Sequence, residues 1–193
     1  MKGYVQVYTG DGKGKTTAAI GIAMRALGAG KKVLFLQFMK AKSYSEHNIL
    51  PGISPNLTLE TFGKPFFVAK PGSAFAEELK KMGGDYMIFE PGNPPQEYLD
   101  LVAKGVEKAK KAVSSGEYDL VVLDEINCAL FFGLIKWETL LDLIDSKAEN
   151  TELILTGRGA TSELIARADL VTEMREIKHY YAQGVPARKG IEN

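Results

Sequence analysis

The glycine-rich stretch of residues 9–17 reads Thr-Gly-Asp-Gly-Lys-Gly-Lys-Thr-Thr and has the residue types of an anion-binding turn. Glycines at alternate positions allow a tight turn whose backbone amides converge on a bound anion. Lys15 can place a positive charge on phosphate oxygens, and the hydroxyl of Thr16 can ligate magnesium. The stretch is therefore predicted to bind the phosphates of a nucleotide. The predicted contacts are Thr9, Gly10, Asp11, Gly12, Lys13, Gly14, Lys15, Thr16 and Thr17.

The same stretch departs from the usual phosphate-loop pattern at one position. That pattern has a glycine five residues before the Gly-Lys pair, where this sequence has Thr9. A glycine-rich turn that binds nothing is the alternative, because glycine is common, at about 7% of average composition. The sequence Gly-Lys-Thr-Thr, and the position of the turn between a predicted strand and a predicted helix, favour the phosphate site.

Two adjacent carboxylates, Asp124 and Glu125, follow the apolar run of residues 120–123. In open parallel sheets, ligands bind beyond the carboxyl ends of the strands, where both acids are expected. Because successive side chains of a strand point to opposite sides, the two acids cannot have the same role. One of them is predicted to support magnesium together with Thr16, directly or through water. The alternative is a surface carboxylate pair that ends a strand.

Apolar runs and helix-like segments alternate along the chain, which favours an α/β fold with a parallel sheet and helices on both faces. Nearly continuous apolar runs are typical of strands that are buried on both sides. The predicted strands are residues 4–8, 33–38, 57–62, 120–123, 153–155 and 170–171. The predicted helices are residues 15–27, 98–113, 137–144 and 162–168.

Apart from the predicted strand at residues 57–62, the stretch of residues 41–95 is irregular, and it contains seven of the eight prolines. A long irregular segment is typical of a substrate-facing excursion or a mobile lid. No internal repeat and no linker between two cores is evident in the sequence. Residues 1–193 are therefore predicted to form a single domain.

The composition is that of an ordinary soluble globular protein, with 45% hydrophobic and 25% charged residues. Because 24 basic residues balance 24 acidic ones, the net charge does not favour nucleic acid or an anionic membrane surface as a partner. The single cysteine, Cys128, fits a reducing compartment and is predicted to pack in the core. The sequence contains no apolar run of the roughly 20 residues that a membrane-spanning helix needs, and no signal-peptide stretch, so a cytoplasmic location is expected.

Taken together, the motifs resemble those of the ATP:corrinoid adenosyltransferases, the phosphate-loop family of the bacterial cobalamin pathway. Generic phosphate-loop ATPases share only the glycine-rich loop and the Asp-Glu pair. The resemblance therefore depends on the Thr-Gly-Arg-Gly of residues 156–159 and on the tail that contains Gly-Ile-Glu at residues 190–192. The matching positions follow one order along the chain, at residues 9–19, 25–28, 37–40, 46–50, 121–125, 156–159, 171–174, 178–179, 184–185, 187 and 190–192.

Members of that family transfer the 5′-deoxyadenosyl group of ATP to the cobalt of a corrinoid in its one-plus state. The cobalt attacks the ribose 5′ carbon, and the whole triphosphate leaves. The resemblance implies a RecA-like P-loop fold, a homodimer, and ATP, Mg²⁺ and a corrinoid as the bound molecules. It also implies an electron-donating reductase or flavoprotein as a possible partner, and neither nucleic acid nor a membrane.

The resemblance further implies roles for individual residues. Lys15, Thr16 and Glu125 are the expected catalytic residues, and Thr16, Glu125 and, in a supporting position, Asp124 are the expected magnesium ligands. Arg158 is expected to contact the phosphates, with a surface-loop arginine as the alternative. Because reduced cobalt carries no proton, the reaction needs positioning and charge neutralisation and no general base.

The sequence departs from the family in two respects. It lacks the Phe-Thr-Trp element thought to displace the lower ligand of the corrinoid; Phe66 or Phe67 is the candidate substitute, with core packing as the alternative. It also lacks the basic helix that precedes the first strand in some members. Two other functions stay open: a phosphate-loop ATPase or small-molecule kinase that cleaves the γ-phosphate, and a non-catalytic carrier of corrinoid or nucleotide.

Overall fold

The computed structural model describes residues 2–40, 44–64, 66–68, 77, 87–89 and 92–192. A six-stranded sheet forms its centre, and every paired strand in it is parallel to its neighbour. Its strands are β1 (Val5–Thr9), β2 (Val33–Phe38), β3 (Leu57–Phe62), β6 (Leu120–Asp124), β7 (Glu152–Thr156) and β8 (Leu170–Glu173), in the order β3-β2-β6-β7-β1-β8. A separate parallel pair consists of β4 (Phe66–Val68) and β5 (Met87–Phe89).

Helices connect the strands of the main sheet. They are α1 (Lys15–Gly28), α2 (Leu50–Ile53), α3 (Gln96–Ser115), α4 (Ile126–Phe131), α5 (Trp137–Asp145) and α6 (Ser162–Arg167). Two 3₁₀ turns lie at Ser45–Asn48 and Tyr180–Gln183. Among the described residues, none of the helices is both long and apolar enough to cross a membrane.

Alternating side chains of β2 divide the core between the two faces of the sheet. Leu34 and Leu36 pack in a cluster with residues of α3 and α5. Val33 and Phe35 point the other way and pack in a cluster with residues of α1. These four side chains are almost fully removed from water, and each burial contributes about 1.5–3 kcal/mol. Both helical layers therefore stabilise the sheet.

The order of the strands confirms the predicted α/β fold with helices on both faces. One strand, β7, lies between β1, which precedes the glycine-rich loop, and β6, which ends in the acid pair. This arrangement is that of a RecA-like P-loop sheet. Because all these strands are parallel, their carboxyl ends meet at one edge, and that edge carries the loop and the acid pair.

The fold differs from the sequence prediction at β8 and α4, and also within residues 41–95, where α2 and the β4–β5 pair were not predicted. β8 spans four residues, whereas the predicted strand spans only residues 170–171. All four residues of β8 are exposed, so the strand lacks the longer apolar run that marks a buried strand. α4 was not predicted, because its six residues follow the acid pair without a side-chain N-cap, whereas the equally short α6 follows Thr161, whose side chain caps it. The side chains of Phe66 and Phe67, the candidate substitutes for the missing aromatic element, lie outside the described residues.

Candidate active site

A cleft of about 1040 Å³ opens at the edge of the sheet where the parallel strands end. Residues 11–17 of the glycine-rich loop line it, together with Lys40 after β2, Glu125 after β6 and Arg158 after β7. Thr9 and Asp124 are buried. The structure therefore brings the predicted phosphate loop, the acid pair and Arg158 together at the sheet edge where ligands of such folds bind.

The conformation of the loop depends on its glycines and on the segment after β8. Gly10 and Gly14 have φ angles of 94° and 114°, which ordinary residues rarely adopt. The Gly12 amide donates to the backbone oxygen of Met174 at 2.7 Å, and the Met174 amide donates to Thr9 at 2.8 Å. The segment that follows the edge strand β8 therefore holds the loop in place, and the amides at the start of α1 adjoin the cleft.

Alanine at Gly12 is expected to destabilise the protein, because an added Cβ would lie 2.7 Å from the backbone oxygen of Met174 and the backbone carbon of Arg175. Forcing a methyl group into a packed site costs about 1–3 kcal/mol. The matched control is Gly21→Ala in α1. There, among the described residues, an added Cβ meets nothing within 4 Å apart from its own stretch of helix, and alanine is favoured over glycine by about 0.5–1 kcal/mol. Urea unfolding checks both variants, and equal midpoints would contradict the close packing.

The ammonium group of Lys15 is folded back into the loop. Its Nζ donates to the backbone oxygens of Gly10 at 2.6 Å and Gly12 at 2.7 Å, and the residue is 7% exposed. Burial lowers the pKa of Lys15, and the nearby Glu125 carboxylate offsets part of that shift. Hydrogen bonds between two charged groups are stronger than those to neutral carbonyls. Phosphate oxygens are therefore better partners for Lys15 than its present ones.

The Asp124 carboxylate is fully buried and joins three neighbouring elements. Its Oδ1 accepts hydrogen bonds from the hydroxyls of Thr16 at 3.0 Å and Thr156 at 2.6 Å. Its Oδ2 accepts from the amide of Gln37 at 3.1 Å. A buried carboxylate is costly unless it is paired and hydrogen-bonded, and these donors meet that need in part. The structure thus joins Thr16 directly to Asp124, the acid that the sequence analysis placed in the supporting position.

Lys40 supplies the positive charge that pairs with Asp124. Its Nζ donates to Oδ2 of Asp124 at 2.8 Å and to Oγ1 of Thr16 at 2.8 Å. The same Nζ lies 5.1 Å from the ring centre of Tyr44. Burial by itself lowers the pKa of Lys40, but the charge of Asp124, the hydrogen bond to it and the nearby charges of Glu125 and Glu46 together outweigh burial, and the net shift of the pKa is upward. The side-chain ammonium group of Lys40 therefore contacts Oγ1 of Thr16 and Oδ2 of Asp124 at the base of the cleft.

Glu125 lines the cleft and has an unusual backbone conformation. Its φ of 62° and ψ of 17° are left-handed, which costs an ordinary residue about 1–2 kcal/mol. The Glu125 amide donates to the Thr156 hydroxyl at 3.0 Å, which helps to hold this turn. Backbone strain of this kind is found at functional sites. The turn separates the two acids, so that Asp124 is buried while Glu125 borders the cleft.

The prediction that Cys128 packs in the core was wrong. The residue is half-buried and lines the cleft, because α4 begins directly after Glu125 and presents Cys128 on the cleft side. Burial, with the negative charge of Glu125, raises the pKa of the Cys128 thiol. Both effects favour the neutral thiol over the nucleophilic thiolate.

Lys13 contacts the C-terminal tail, which forms one wall of the cleft. Its Nζ donates to the backbone oxygen of Ile191 at 2.8 Å and to the Glu192 carboxylate at 3.3 Å. That carboxylate also accepts from Arg188 at 3.0 Å, and hydrogen bonds from Arg188 and Tyr180 lower the pKa of Glu192. Exposed ion pairs contribute only about 0–1 kcal/mol, so phosphates can compete with the tail for Lys13.

Among the residues at or beside the cleft to which the sequence analysis assigned no role are Gln37, Lys40, Phe131 and Phe132. Gln37 and Lys40 reach Asp124, and the signal for Gln37 is a polar residue within an apolar strand. Phe131 is 64% exposed, and its ring centre lies 5.1 Å from that of Phe132. Both phenylalanines line the cleft, and two consecutive aromatic residues shortly after the acid pair were the available signal.

The sheet order, the glycine-rich loop after β1 and the buried acid at the end of β6 define a RecA-like P-loop protein of the nucleotide-binding class. The family model described as ATP:corrinoid adenosyltransferase BtuR/CobO/CobP matches residues 1–193. The chain belongs to this family.

Curated relatives agree with that assignment. A corrinoid adenosyltransferase of Escherichia coli (strain K12) is 32% identical over 191 residues, which are 99% of this chain and 86% of the relative. A corrinoid adenosyltransferase of Sinorhizobium sp. is 34% identical over 193 residues, 99% of this chain and 80% of the relative. Among solved structures, a KaiC-like protein of Pyrococcus horikoshii OT3 is 19% identical with a TM-score of 0.47 and covers 92% of this chain and 75% of its own.

Proposed function

We propose that this protein transfers the 5′-deoxyadenosyl group of ATP to the Co(I) centre of a corrinoid and releases triphosphate, in the biosynthesis or salvage of adenosylcobalamin. The match of residues 1–193 to the corrinoid adenosyltransferase family carries the proposal. The cobalt electron pair forms the bond to the 5′ carbon, the bond from that carbon to the triphosphate oxygen breaks, and the oxygen keeps its electrons. Cobalt passes formally from the one-plus to the three-plus state, and no proton is transferred.

The main task of the protein in this reaction is to stabilise the leaving triphosphate. Negative charge grows on its oxygens as the bond to carbon breaks, and preorganised donors lower the energy of that transition state. Lys15 and the backbone amides of residues 13–16 are such donors, because they border the cleft at and just before the start of α1, whereas the Gly12 amide already donates to Met174. Loop residues 9–17, among them Lys13, are the proposed phosphate contacts, together with Arg158.

The oxygen donors at the base of the cleft fit magnesium. Mg²⁺ is commonly bound by one or two carboxylates together with substrate phosphates. The hydroxyl oxygen of Thr16 lies 3.0 Å from Oδ1 and 3.3 Å from Oδ2 of Asp124, and the Lys40 ammonium on Oγ1 of Thr16 and Oδ2 of Asp124 supports a preference for cations there. Thr16, Asp124 and Glu125 are the proposed ligands, directly or through water. When bound, the ion would neutralise charge on the phosphates.

The protein is further proposed to act as a cytoplasmic homodimer, with an electron-donating reductase or flavoprotein as the partner that reduces the corrinoid cobalt. The edge strand β8 supports a partner chain, since Leu170 and Val171 are 45% and 38% exposed and unpaired strand edges readily pair with another chain. Light scattering is expected to give the mass of two chains. A monomer at all protein concentrations would contradict the homodimer.

Anaerobic incubation with MgATP and a corrinoid reduced to Co(I) tests the proposed activity. The expected product is a light-sensitive adenosylcorrinoid, followed by absorbance before and after illumination, because light breaks the cobalt–carbon bond. Formation of ADP without corrinoid would favour the ATPase or kinase. Binding of corrinoid and ATP without product would favour the carrier, and either outcome would contradict the proposed transfer.

A further inference from the structure

We propose that Lys40 is an internal cation that occupies the metal position of the nucleotide-free protein and leaves it when magnesium arrives with the triphosphate. The inference rests on the proposed function only in requiring a metal–nucleotide complex at the glycine-rich loop. The inference assigns to Lys40 a role in making magnesium and the nucleotide bind together. The P-loop fold by itself does not require such a role.

The geometry makes the lysine and the metal mutually exclusive. Nζ of Lys40 lies 2.8 Å from Oγ1 of Thr16 and 2.8 Å from Oδ2 of Asp124. These residues provide the oxygens proposed for the metal, and Mg²⁺ binds its ligands at about 2.0–2.1 Å. An ion bound to both oxygens at that distance would overlap the ammonium group. The Lys40 side chain is 11% exposed and that of Asp124 is 0% exposed, so the ammonium cannot share the position with a hydrated ion.

The other hydrogen bonds of Asp124 allow one cation on its carboxylate to be replaced by another. The hydroxyl of Thr156 and the amide of Gln37 still bind its oxygens after Lys40 has left. Gln37 is the neighbour of Asp124 across the β2–β6 pair, so this contact belongs to the rigid sheet. The carboxylate therefore keeps its position and needs only a new positive charge, which the metal provides.

Lys40 has an alternative partner close by. It follows β2 by two residues and lines the same cleft as the phosphate loop. Its flexible four-carbon stem lets the ammonium turn without moving the strand. Triphosphate oxygens in the cleft would attract the ammonium group away from Asp124. Metal and nucleotide are therefore expected to bind together, and the metal alone to bind weakly.

Binding of Mn²⁺, measured by electron paramagnetic resonance without nucleotide or corrinoid, tests the proposal. The apparent affinity for Mn²⁺ is the intrinsic affinity multiplied by the fraction of time for which the site is free. If Lys40 occupies the oxygens for about nine-tenths of the time, the Lys40→Met protein is therefore expected to bind Mn²⁺ about tenfold more tightly than the unchanged protein. The matched control is Lys13→Met, which removes the same charge from the same cleft, but whose ammonium contacts the tail. Lys13→Met is expected to leave the Mn²⁺ affinity close to that of the unchanged protein.

Equal Mn²⁺ affinities of the unchanged protein and Lys40→Met would overturn the proposal. An equal gain in Lys13→Met would also overturn it, since a general charge effect would then suffice. If Lys40→Met does not fold, the proposal is tested by a crystal structure of the unchanged protein with Mg²⁺ and a non-hydrolysable ATP analogue. Nζ of Lys40 is expected beyond hydrogen-bond distance of Asp124, and Nζ still on both oxygens beside a bound metal would overturn the inference. Neither measurement needs a corrinoid, so their failure is distinct from failure of the proposed transfer.

Discussion

Lys15→Ala is expected to lower the rate of adenosyl transfer by about two to three orders of magnitude, the usual effect of removing one donor to a developing anion. Lys15 is 7% exposed and borders the cleft within the glycine-rich loop, so its ammonium group is held beside the expected position of the phosphates. The unfolding midpoint is expected to change little, because the backbone oxygens of Gly10 and Gly12 that it contacts become accessible to water in the open cleft.

Lys32→Ala is the matched control for Lys15→Ala. Lys32 directly precedes β2, at the opposite end of the sheet, and pairs with Glu117 on the surface. Its variant is expected to keep the full rate. The rates are measured at saturating ATP and reduced corrinoid, with the urea unfolding curve recorded for each variant. Unchanged turnover in Lys15→Ala would contradict the role given to the loop.

Asp124→Ala is expected to lower the free energy of unfolding by about 3–5 kcal/mol, the cost of breaking a buried ion pair by removing one partner. The change leaves the Lys40 ammonium buried without its carboxylate, and it removes the acceptor of the Thr156 hydroxyl and the Gln37 amide. The matched control is Asp145→Ala, which removes a half-exposed pair with Arg167 and is expected to cost about 0–1 kcal/mol. Urea unfolding measures both.

A double-mutant cycle separates the ion pair from the other contacts of Asp124. In the Asp124→Ala background, Lys40→Met is expected to restore part of the lost stability, because it removes the uncompensated charge. Strictly additive effects of the two substitutions would contradict the proposed pairing in the folded protein.

The sequence was sufficient to predict features that depend on neighbouring residues. The glycine-rich loop could be recognised because the backbone requirements of Gly10 and Gly14 and the side chains of Lys15 and Thr16 all lie within a few positions. The buried strands were predictable for the same reason, since apolar runs mark them locally. The exposed edge strand β8 was underestimated because its surroundings impose no apolar pattern.

Contacts between distant parts of the chain could not be predicted in the same way. Lys40 meets Asp124 only because β2 and β6 pair in the register that places Gln37 beside Asp124, and no local pattern specifies that register. The contact of Lys13 with Glu192 joins residues 179 positions apart. The different roles of Asp124 and Glu125 depend on the left-handed backbone conformation of Glu125. That conformation could not be predicted from the sequence, because nothing in the residue type of a glutamate indicates it.

Phosphorus-31 NMR of the reaction products is the most direct test of the central claim that the ribose 5′ carbon, and not the γ-phosphorus, is the atom attacked. The protein is incubated anaerobically with MgATP and a Co(I) corrinoid, and the phosphorus signals are compared with the amount of adenosylcorrinoid formed. The expected result is intact triphosphate in equal amount to the adenosylated product. Accumulation of ADP, with phosphate released or transferred and no triphosphate, would contradict the claim.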